Sequence, residues 1–324
     1  MLGPYVHNID PIITSVLGVH LWWYGLSYSL GFLSAWLFLK RHRGRLGLSL
    51  ASVYDLALLL ALGVLVGGRA LVVFNEWPFY REHPALIPAI WLGGLATHGL
   101  IAGGAVGVFT FCVVWKQPYR PIFDTLAVAA ALILGCGRIG NFIDGQIVGS
   151  VTTVPWAVQF PEAAGFRHPV VLYDGLKNFL LIPFLLWVRS RDAPPGRLAA
   201  LFLFLYAALR IPIDLLREYP LSLLGLPAGQ TVNIAMALAG AILLLRNWRR
   251  PPAGGTTVDP AHENGSGASL GWRRAAFAVC LVTAVVIPSD ATRDVPAQYG
   301  RRHPGLTHSR MYPPITPMAG PPRR

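Results

Sequence analysis

Seven apolar stretches, each long enough to cross a lipid bilayer, dominate this 324-residue chain. They fall at residues 17–39, 52–74, 92–115, 122–143, 170–188, 198–216 and 227–245. A spanning helix needs about 20 apolar residues and satisfies its own backbone hydrogen bonds, so each stretch predicts a transmembrane α-helix. Only 13% of the residues are charged, against about 25% in a soluble domain. The sequence therefore predicts an all-α polytopic membrane protein with seven transmembrane helices.

Lysines and arginines are unevenly distributed between the connections, and this asymmetry predicts an orientation. The connections after the first, third, fifth and seventh stretches carry twelve of them, namely Lys40, Arg41, Arg43, Arg45, Lys116, Arg120, Arg189, Arg191, Arg197, Arg246, Arg249 and Arg250. The alternate connections carry three, namely Arg81, Arg167 and Arg217. Because cytoplasmic loops are enriched in basic residues, we expect the N-terminus outside and the end of the seventh stretch in the cytoplasm. The net charge of +12 thus reflects topology, and nucleic acid is not an expected partner.

Arg138 is the most unusual residue of the apolar stretches. It lies near the end of the fourth stretch, where a charge in or near hydrocarbon costs roughly 3 kcal/mol or more and is functional by default. Asn141 follows three residues later and shares its helix face. Gly135, Gly137 and Gly140 allow close helix packing, but packing alone does not require an arginine. We therefore predict an anion site here, and the commonest anion in a membrane is a phospholipid phosphate.

A second polar group closes the sixth stretch. Arg210, Asp214 and Arg217 are spaced at i, i+4 and i+7 and line one helix face. A purely structural ion pair between Arg210 and Asp214 is one interpretation, and it is compatible with function. Two arginines and one aspartate leave a surplus positive charge in either case. Pro212 in this turn is expected to kink the helix and free backbone groups near the site.

Tyr24 and His98 are further polar residues toward the same, outer half of the predicted membrane region. A lone histidine in an apolar helix is as often a hydrogen-bonded core residue as a catalyst, although imidazole exchanges a proton near neutral pH. Arg69 in the second stretch is either a ligand contact or a structural partner of a carboxylate such as Glu76. No comparable cluster marks the cytoplasmic half. The sequence therefore predicts one site, open to the outer leaflet or the space beyond it.

The connections and the C-terminal region define the predicted domain organisation. Residues 1–250 form the seven-helix domain, in which the longest connection, 144–169, is expected to make a small extracytoplasmic head. Residues 251–272 are rich in Pro, Gly, Ser and Thr and predict a flexible linker. Residues 273–324 begin with a short hydrophobic segment of about 14 residues, which predicts an eighth span or an interfacial helix. Their Pro/Arg-rich tail is expected to be disordered.

The run of residues 137–146, Gly-Arg-Ile-Gly-Asn-Phe-Ile-Asp-Gly-Gln, resembles the signature of the bacterial prolipoprotein diacylglyceryl transferase family. That signature reads Gly-Arg-x-Gly-Asn-Phe-x-Asn-Gly-Glu and ends in a glycine that Gly149 matches. Six further motifs resemble family segments in the same order, namely Trp23-Tyr24-Gly25-Leu26, Gly67-Gly68-Arg69, His98-Gly99, Arg167-His168-Pro169 with Leu172-Tyr173, Arg210-x-x-x-Asp214-x-x-Arg217 and Gly229-Gln230. The resemblance covers residues 5–250.

The resemblance implies an enzyme of the bacterial cytoplasmic (inner) membrane with its active site toward the outer leaflet. Such enzymes transfer the diacylglyceryl group of phosphatidylglycerol to the lipobox cysteine of preprolipoproteins. This first step of lipoprotein maturation forms a thioether and releases glycerol 1-phosphate. The expected partners are phosphatidylglycerol, signal peptides with a lipobox cysteine, and membrane lipids. No cofactor or metal is expected, because the lipid brings its leaving group and Cys112, Cys136 and Cys280 lack metal-ligand spacing.

The resemblance also implies roles for individual residues. His98 is expected to accept the thiol proton as general base. Arg210, oriented by Asp214, is expected to stabilise the leaving phosphate, and Tyr24 to orient substrate at the membrane boundary. The expected substrate-binding residues are Arg138, Asn141, Asp144, Gln146, Gly149, Arg69, Arg217 and His168.

Several positions depart from the family pattern. Gln146 stands where the family has Glu and Asp144 where it has Asn, so one carboxylate is lost and another appears two residues earlier. The other departures are Leu100 for glycine, Val170-Val171 for Ser-Gln and Asp214 for glutamate. They leave open a catalytically impaired relative that binds phosphatidylglycerol or signal peptides. A lipid transporter is a remote alternative, since it predicts internal repeats and polar groups in both membrane halves, which this sequence lacks.

Overall fold

The computed structural model describes residues 4–145, 147–161, 163–191, 193–217, 222–223, 226–247, 267–289 and 294–315, and these are mostly helical. The helices are α1 (Trp23–Leu46), α2 (Leu50–Asn75), α3 (Trp77–Glu82), α4 (Thr97–Val114), α5 (Tyr119–Asp144), α6 (Val170–Arg189), α7 (Arg197–Leu215), α8 (Ala228–Asn247), α9 (Gly267–Ala284) and α10 (Val295–Tyr299). The strands are β1 (Tyr5–Val6), β2 (Ile12–Val16), β3 (Val19–Trp22), β4 (Val158–Gln159), β5 (Phe166–Arg167), β6 (Ser222–Leu223) and β7 (Leu226–Pro227).

Six helices in the described part of the chain are long and apolar enough to cross a membrane, namely α2, α4, α5, α6, α7 and residues Gly229–Arg246 of α8. They coincide with the second to seventh predicted stretches, which are thereby confirmed as apolar helices. The first stretch gives α1, whose C-terminal part carries Lys40, Arg41, Arg43 and Arg45. These charges make α1 less apolar than the other six helices, and the seven-span topology stays a prediction.

The first predicted stretch, 17–39, begins too early. Its first residues belong to an antiparallel hairpin of β2 and β3, and α1 begins at Trp23. Leu17 and Gly18 form the two-residue turn with φ of 51° and 79°, the left-handed geometry that matches the twist of a hairpin. Hydropathy alone does not distinguish a short apolar strand from the first turn of an apolar helix.

The third predicted stretch, 92–115, also begins too early, since α4 begins at Thr97. Gly93 and Gly94 precede it with φ of 82° and 88°. Those values lie outside the right-handed helical region, so the helix cannot extend back through them. The chain instead connects α3 to α4 through two short 3₁₀ turns, Pro84–Leu86 and Ile90–Leu92.

α2 and α4 cross at a seam of glycines. A Cβ added to Gly103 would overlap the carbonyl oxygen of Gly63, and one added to Gly99 would overlap that of Gly67. Helices in lipid gain little from covering apolar side chains, so close van der Waals contact is a main source of their association. The seam fixes α4, and with it the first turn that carries His98.

α5 lies inside the bundle, where it packs against α1, α6 and α7, and α7 packs in turn against α6 and α8. At the start of α7, Asp124 of α5 accepts hydrogen bonds from the backbone N–H groups of Gly196 and Ala199 at 2.6 and 2.8 Å and caps that helix. α5 and α7 therefore start at the same end of the bundle. The last turns of α5 and α7 and the first turn of α6 meet at the opposite end.

The predicted head contains short strands. β4 pairs in parallel with β1 and antiparallel with β5, so the connection 144–169 and residues near the N-terminus share one three-stranded sheet. An isolated bridge joins Gly149 to Arg217 at the end of α7. The expectation of an all-α chain is therefore wrong in this detail. The described strands lie outside the long helices.

Residues 267–289 and 294–315 are folded, whereas the sequence predicts a short segment and a disordered tail in this region. α9 is 18 residues long and packs against α1 and α2. Beyond it, Tyr299 and Tyr312 are buried in an apolar cluster with Trp22. The prediction of disorder is therefore wrong for residues 294–315, because their aromatic side chains supply apolar surface that packing removes from water. Most of the predicted linker lies outside the described residues.

Candidate active site

One buried carboxylate holds two arginines from different helices. Asp174, in the second turn of α6, accepts a hydrogen bond from Arg138 Nε of α5 at 2.6 Å and one from Arg210 Nη1 of α7 at 2.6 Å, both at Oδ2. Each of the three side chains is only 5% exposed. Charge-assisted hydrogen bonds of this length are strong, and a dry surrounding strengthens them. Asp174 therefore fixes the position of both guanidinium groups.

Lys177 adds a third cation to the same carboxylate. Its Nζ lies 2.7 Å from Asp174 Oδ1, donates to the Tyr206 carbonyl at 3.3 Å and lies 3.9 Å from the centre of the Tyr206 ring. Neither Asp174 nor Lys177 is among the predicted site residues. The signal that would have found them is a pair of opposite charges three residues apart in an apolar stretch, which is costly in a membrane unless it is paired or functional.

The polar residues around Asp174 carry a surplus positive charge. Arg210 Nε lies 3.3 Å from Asp214 Oδ2, which confirms the predicted pair, although the contact with Asp174 is shorter. Three cations face two carboxylates, so the net charge is +1 when all five are ionised. A buried excess of this sign favours an anion. The five residues, called here the arginine cluster, are Arg138, Asp174, Lys177, Arg210 and Asp214.

A narrow cavity of about 10 Å³ opens beside the arginine cluster. Its lining residues are Arg138, Ile147, Val170, Val171, Asp174, Arg210, Ile213, Asp214 and Arg217. The predicted groups of α5 and α7 therefore meet at one place. The two valines form an apolar wall, and the space is about that of one water molecule. Among the described residues, no group of three or more His, Cys, Asp or Glu side chains could hold a metal ion.

Asn141 lies one helical turn after Arg138 and shares its face, as predicted. Its Oδ1 accepts a hydrogen bond from Arg138 Nη1 at 2.8 Å. α6 approaches closely here, since a Cβ added to Gly175 would lie 3.0 Å from Arg138 Cβ. Arg138 is thus held at Nε by Asp174 and at Nη1 by Asn141. Two contacts on different nitrogens fix the plane of a guanidinium group.

His98 lies at the edge of the arginine cluster. It is the second residue of α4, and its Nε2 lies 3.5 Å from Asn233 Oδ1, at the limit of hydrogen bonding. Asn233 Nδ2 also donates to Asp214 Oδ2 at 2.7 Å. Asn233 therefore links the predicted base to the cluster. It is not among the predicted residues, although a second polar side chain three residues after Gln230 in an apolar stretch was a signal for it.

Tyr24 contacts the signature helix and does not line the cavity. It is the second residue of α1 and is buried. A Cβ added to Gly140 of α5 would lie 2.7 Å from Tyr24 Cα, so a glycine is needed at this crossing. The Tyr24 ring packs at 4.9 Å from the ring of Tyr28. The predicted role of Tyr24 in orienting substrate stays a prediction.

Arg69 braces a loop. Its guanidinium donates to the backbone carbonyls of Leu86, Ile87 and Gly93 at 2.6 to 2.7 Å. Of the two interpretations, the structural one fits this geometry, because these contacts go to backbone oxygens of one loop. The loop between α3 and α4 uses these donors, and Arg69 is not among the residues that line the cavity. The predicted contact of Arg69 with substrate stays a prediction.

His168 and Gly149 belong to the head. Gly149 N donates to the His168 carbonyl at 3.1 Å, and a Cβ added to Gly149 would lie 2.6 Å from that oxygen, so this position requires glycine. His168 Nδ1 lies 3.1 Å from the Tyr173 hydroxyl, which also accepts a hydrogen bond from Trp156 Nε1 at 2.6 Å. These contacts hold the head against the start of α6, next to Asp174.

The end of α5 contacts the C-terminal region. Asp144 is fully buried, and its Oδ2 accepts hydrogen bonds from the Ser289 backbone N–H at 2.9 Å and from the Tyr299 hydroxyl at 3.4 Å. Asn141 Nδ2 donates to Ser289 Oγ. The relocated carboxylate therefore holds residues of this chain's own C-terminal region. Gln146, the other predicted residue of this loop, lies outside the described residues.

Comparison with known proteins gives a family match. Residues 11–246 match the family described as prolipoprotein diacylglyceryl transferase. A phosphatidylglycerol–prolipoprotein diacylglyceryl transferase of Geobacter sulfurreducens is 36% identical over 253 residues, which are 75% of this chain and 97% of that protein. Proteins of the same name from Mannheimia succiniciproducens and Chromohalobacter salexigens are 36% and 35% identical, and the matches cover 76% and 75% of this chain and 96% and 94% of theirs. The arginine cluster lies inside the matched residues, whereas α9 and the residues after it lie outside them.

Proposed function

This chain belongs to the prolipoprotein diacylglyceryl transferase family, and we propose that its arginine cluster supports transfer of the diacylglyceryl group of phosphatidylglycerol to the lipobox cysteine of preprolipoproteins. The observation that carries the proposal is the pair of arginines on one oxygen of Asp174, with a surplus positive charge around it. The phospholipid phosphate is an anion, and guanidinium is the side-chain group whose planar fork fits it best.

The chemistry requires an anion-stabilising site. The cysteine sulfur forms a bond to the glyceryl carbon, the bond between that carbon and the phosphate ester oxygen breaks, and glycerol 1-phosphate leaves with the electron pair. Negative charge therefore grows on phosphate oxygens in the transition state. Arg138 and Arg210, held in a dry site, stabilise that charge without the reorganisation that water would need.

Asp174 is a positioning residue in this scheme. It holds the two guanidinium groups at one carboxylate oxygen, where they would otherwise repel each other. Lys177 on the other oxygen offsets the charge of Asp174, so the arginines keep their attraction for a phosphate. Arg217 lines the same cavity and adds to its positive field.

His98 is proposed as the base that accepts the thiol proton, since the thiolate is the reactive form of cysteine. Asn233 orients its ring and joins it to Asp214. Geometry in the absence of substrate is often longer than in the reacting complex, and a separation of 3.5 Å is compatible with that role.

The proposed orientation places the site toward the outer leaflet of the bacterial cytoplasmic (inner) membrane. The cluster lies where α5 and α7 end and α6 begins, and the connections rich in Lys and Arg lie at the other end of the bundle. By the positive-inside rule the latter end is cytoplasmic. The N-terminus is then outside, with α1, α2, α4, α5, α6, α7 and α8 as seven spans, and the lipobox cysteine of an inserted signal peptide emerges on the side of the cluster.

The test is complementation of a bacterium whose own transferase can be depleted. The wild-type chain is expected to restore growth. In phosphatidylglycerol vesicles, the purified chain is expected to add one diacylglyceryl group to a synthetic lipobox peptide, as read by mass spectrometry. Arg138→Ala is expected to abolish both. Arg81→Ala is the matched control, because Arg81 pairs with Glu82 on the surface with 61% of its side chain exposed. A correctly inserted wild-type chain that gives neither rescue nor product would overturn the proposal.

A further inference from the structure

α9 fills a groove between α1 and α2. The contact is close at Gly25, where an added Cβ would overlap the carbonyl oxygen of Ala284. Further along α1, Ser29 Oγ donates to the Leu281 carbonyl at 2.9 Å. A small apolar cavity of about 60 Å³ remains beside α9, so the groove is wider than the helix in it. This α1/α2 groove is lined by Gly25, Ser29 and Phe32 of α1 and by Asp55, Ala61 and Leu65 of α2.

The end of the groove on the proposed cytoplasmic side binds a basic residue. Arg273 of α9 donates to Asp55 from Nε to Oδ1 at 2.6 Å and from Nη2 to Oδ2 at 3.1 Å. The Asp55 side chain is 8% exposed, so this bidentate ion pair is largely shielded from solvent. Asp55 is the one acidic residue of α2, and the arginine cluster does not involve it. The groove thus has an acidic anchor for a cation at this end.

The opposite end of the groove leads into the candidate active site. After α9 the chain reaches Ser289, which is 9% exposed. Its backbone N–H binds Asp144, and its hydroxyl accepts a hydrogen bond from Asn141. Asn141 also binds Arg138, the arginine proposed to hold the phosphate. The Asn141 side chain therefore connects the Ser289 hydroxyl to Arg138 through hydrogen bonds.

The order of residues along this segment is that of a signal peptide. Arg273 and Arg274 are followed by the 14 uncharged residues 275–288 and then by Ser289. A secretory signal peptide likewise has a basic start and an apolar region of about 7–15 residues. Serine is the oxygen analogue of cysteine. Its hydroxyl makes similar hydrogen bonds but ionises much less readily than a thiol, whose thiolate is the reactive form.

We propose that the α1/α2 groove is the docking surface for the apolar helix of the acceptor's signal peptide, and that residues 273–289 occupy it as an internal copy with Ser289 in the place of the acceptor cysteine. The inference rests on the proposed function. The copy enters with its basic end at the proposed cytoplasmic side, as a signal peptide does, and it lies outside the family match at 11–246. A signal peptide and the internal copy therefore compete for one groove.

The first experiment gives the internal copy a reactive thiol. Full-length S289C protein is placed in phosphatidylglycerol vesicles and weighed by mass spectrometry. The introduced thiol is expected to lose its proton to the base, bond through sulfur to the glyceryl carbon and release glycerol 1-phosphate, so the chain gains one diacylglyceryl group. T283C is the matched control, because its side chain is exposed on α9. Neither that thiol nor the native Cys280 is expected to be modified.

A synthetic lipobox peptide, added in parallel, distinguishes a failure of the internal copy from a failure of the proposed function. Modification of the S289C chain, without modification of the T283C chain, supports the docking surface. An S289C protein that modifies the added peptide but never its own chain overturns the internal copy and leaves the proposed function standing. If the wild-type chain modifies no peptide and S289C does not modify itself, the proposed function is wrong and the inference falls with it.

A second experiment tests the competition. Arg273→Gln weakens the anchor of the internal copy, so the KM for the lipobox peptide is expected to fall by about tenfold with kcat unchanged, the effect of one lost charge-assisted contact. Arg274→Gln is the matched control, because Arg274 is exposed on the same turn. A peptide whose basic residues are replaced by glutamine is expected to have a raised KM with the Arg273→Gln protein. An unchanged KM in Arg273→Gln would contradict competition for the groove.

Discussion

Arg138 and Arg210 lie side by side because both donate to the same oxygen of one carboxylate, each at 2.6 Å. They are 72 residues apart in the sequence and belong to two helices of parallel direction. Asp174, on the antiparallel helix between them, removes the repulsion that two buried guanidinium groups would otherwise suffer. The two arginines are thereby available as a pair for one phosphate.

Replacing Asp174 with asparagine should show whether its negative charge, rather than its shape, is needed to hold the two arginines. Asp174→Asn keeps the shape but loses the negative charge that holds both arginines. We expect kcat to fall by at least about 100-fold, because misplacing transition-state donors costs that much or more. We also expect a loss of about 3 kcal/mol of stability, because buried cations lose their partner. Peptide turnover and thermal unfolding in detergent measure the two effects.

Asp124→Asn is the control for that prediction. Asp124 is a partly buried carboxylate that also accepts two short hydrogen bonds, but it caps α7 at the far end of the bundle. Its loss should cost about 1 kcal/mol of stability and leave kcat of the folded fraction unchanged. Equal effects of both substitutions on kcat would argue against a positioning role for Asp174.

The proposed base is tested by His98→Gln, which keeps a polar group near Asn233 but cannot take up a proton. We expect kcat to fall by about 10² to 10⁴ with little change in the KM for the acceptor peptide. His42→Gln is the comparison and should keep most of the activity, because His42 lies in the basic C-terminal part of α1 and its Nδ1 lies 2.8 Å from the Phe38 carbonyl oxygen. If His98→Gln retained more than about one tenth of kcat, another group would have to accept the thiol proton.

The glycine seam between α2 and α4 predicts a stability effect. Gly103→Ala places a methyl group on the backbone oxygen of Gly63, and we expect a loss of about 1–3 kcal/mol from overpacking. Gly44→Ala in α1 is the control, since a Cβ there meets nothing within 4 Å, and helix propensity should make it neutral or slightly stabilising. Thermal unfolding in detergent distinguishes them. Equal unfolding temperatures for the two variants would mean that α2 and α4 can move apart to accommodate the methyl group without loss of stability.

The packing of residues 294–315 should depend on acidity through Asp294. Partial burial alone would raise its pKa, but hydrogen bonds from the Ala297 N–H, His308 and the Ile315 N–H outweigh that and hold the pKa below its ordinary value of 3.8. A depressed pKa means that the ionised form stabilises the fold. That contribution is complete above the ordinary value and is lost as the pH falls through the lower, folded value.

Hydrogen exchange of residues 294–315 measures this dependence. In the wild-type chain we expect protection to decrease as the pH is lowered from neutral to below about 4, the range in which an aspartate titrates. Asp294→Asn should show weaker protection at neutral pH and no further loss from this group on acidification. Identical pH profiles for the two proteins would show that the hydrogen bonds to the Asp294 carboxylate contribute nothing to the fold.

The candidate site was predictable where its signal is local in the sequence. Arg138 with Asn141, and Arg210 with Asp214, are each one turn apart, so helical spacing alone placed each pair on a common face. Asp174 and Lys177 are not among the predicted site residues. Their importance depends on α6 lying beside both arginine-bearing helices, which is a long-range contact.

Two further features are not revealed by local sequence patterns. Arg69 has the residue type and the glycine context of a ligand contact, and the structure shows that its guanidinium donates to carbonyls of the loop 84–94. Leu17 and Gly18 read as the start of an apolar helix, whereas they form a hairpin turn. Hydropathy measures the preference of a residue for lipid or protein interior and does not report which backbone geometry buries it.

The sequence by itself determined the long apolar helices, the polar residues at their ends and the family to which the chain belongs. Hydropathy, helical spacing and motif order can all be read from residues that are close together in the chain. Only the tertiary structure decided that one aspartate joins two arginines, that Arg69 binds the loop between α3 and α4, and that Ser289 reaches Asn141 and Asp144 from beyond the matched domain. Those relationships depend on which helices pack together, and packing is settled by contacts between residues far apart in the chain.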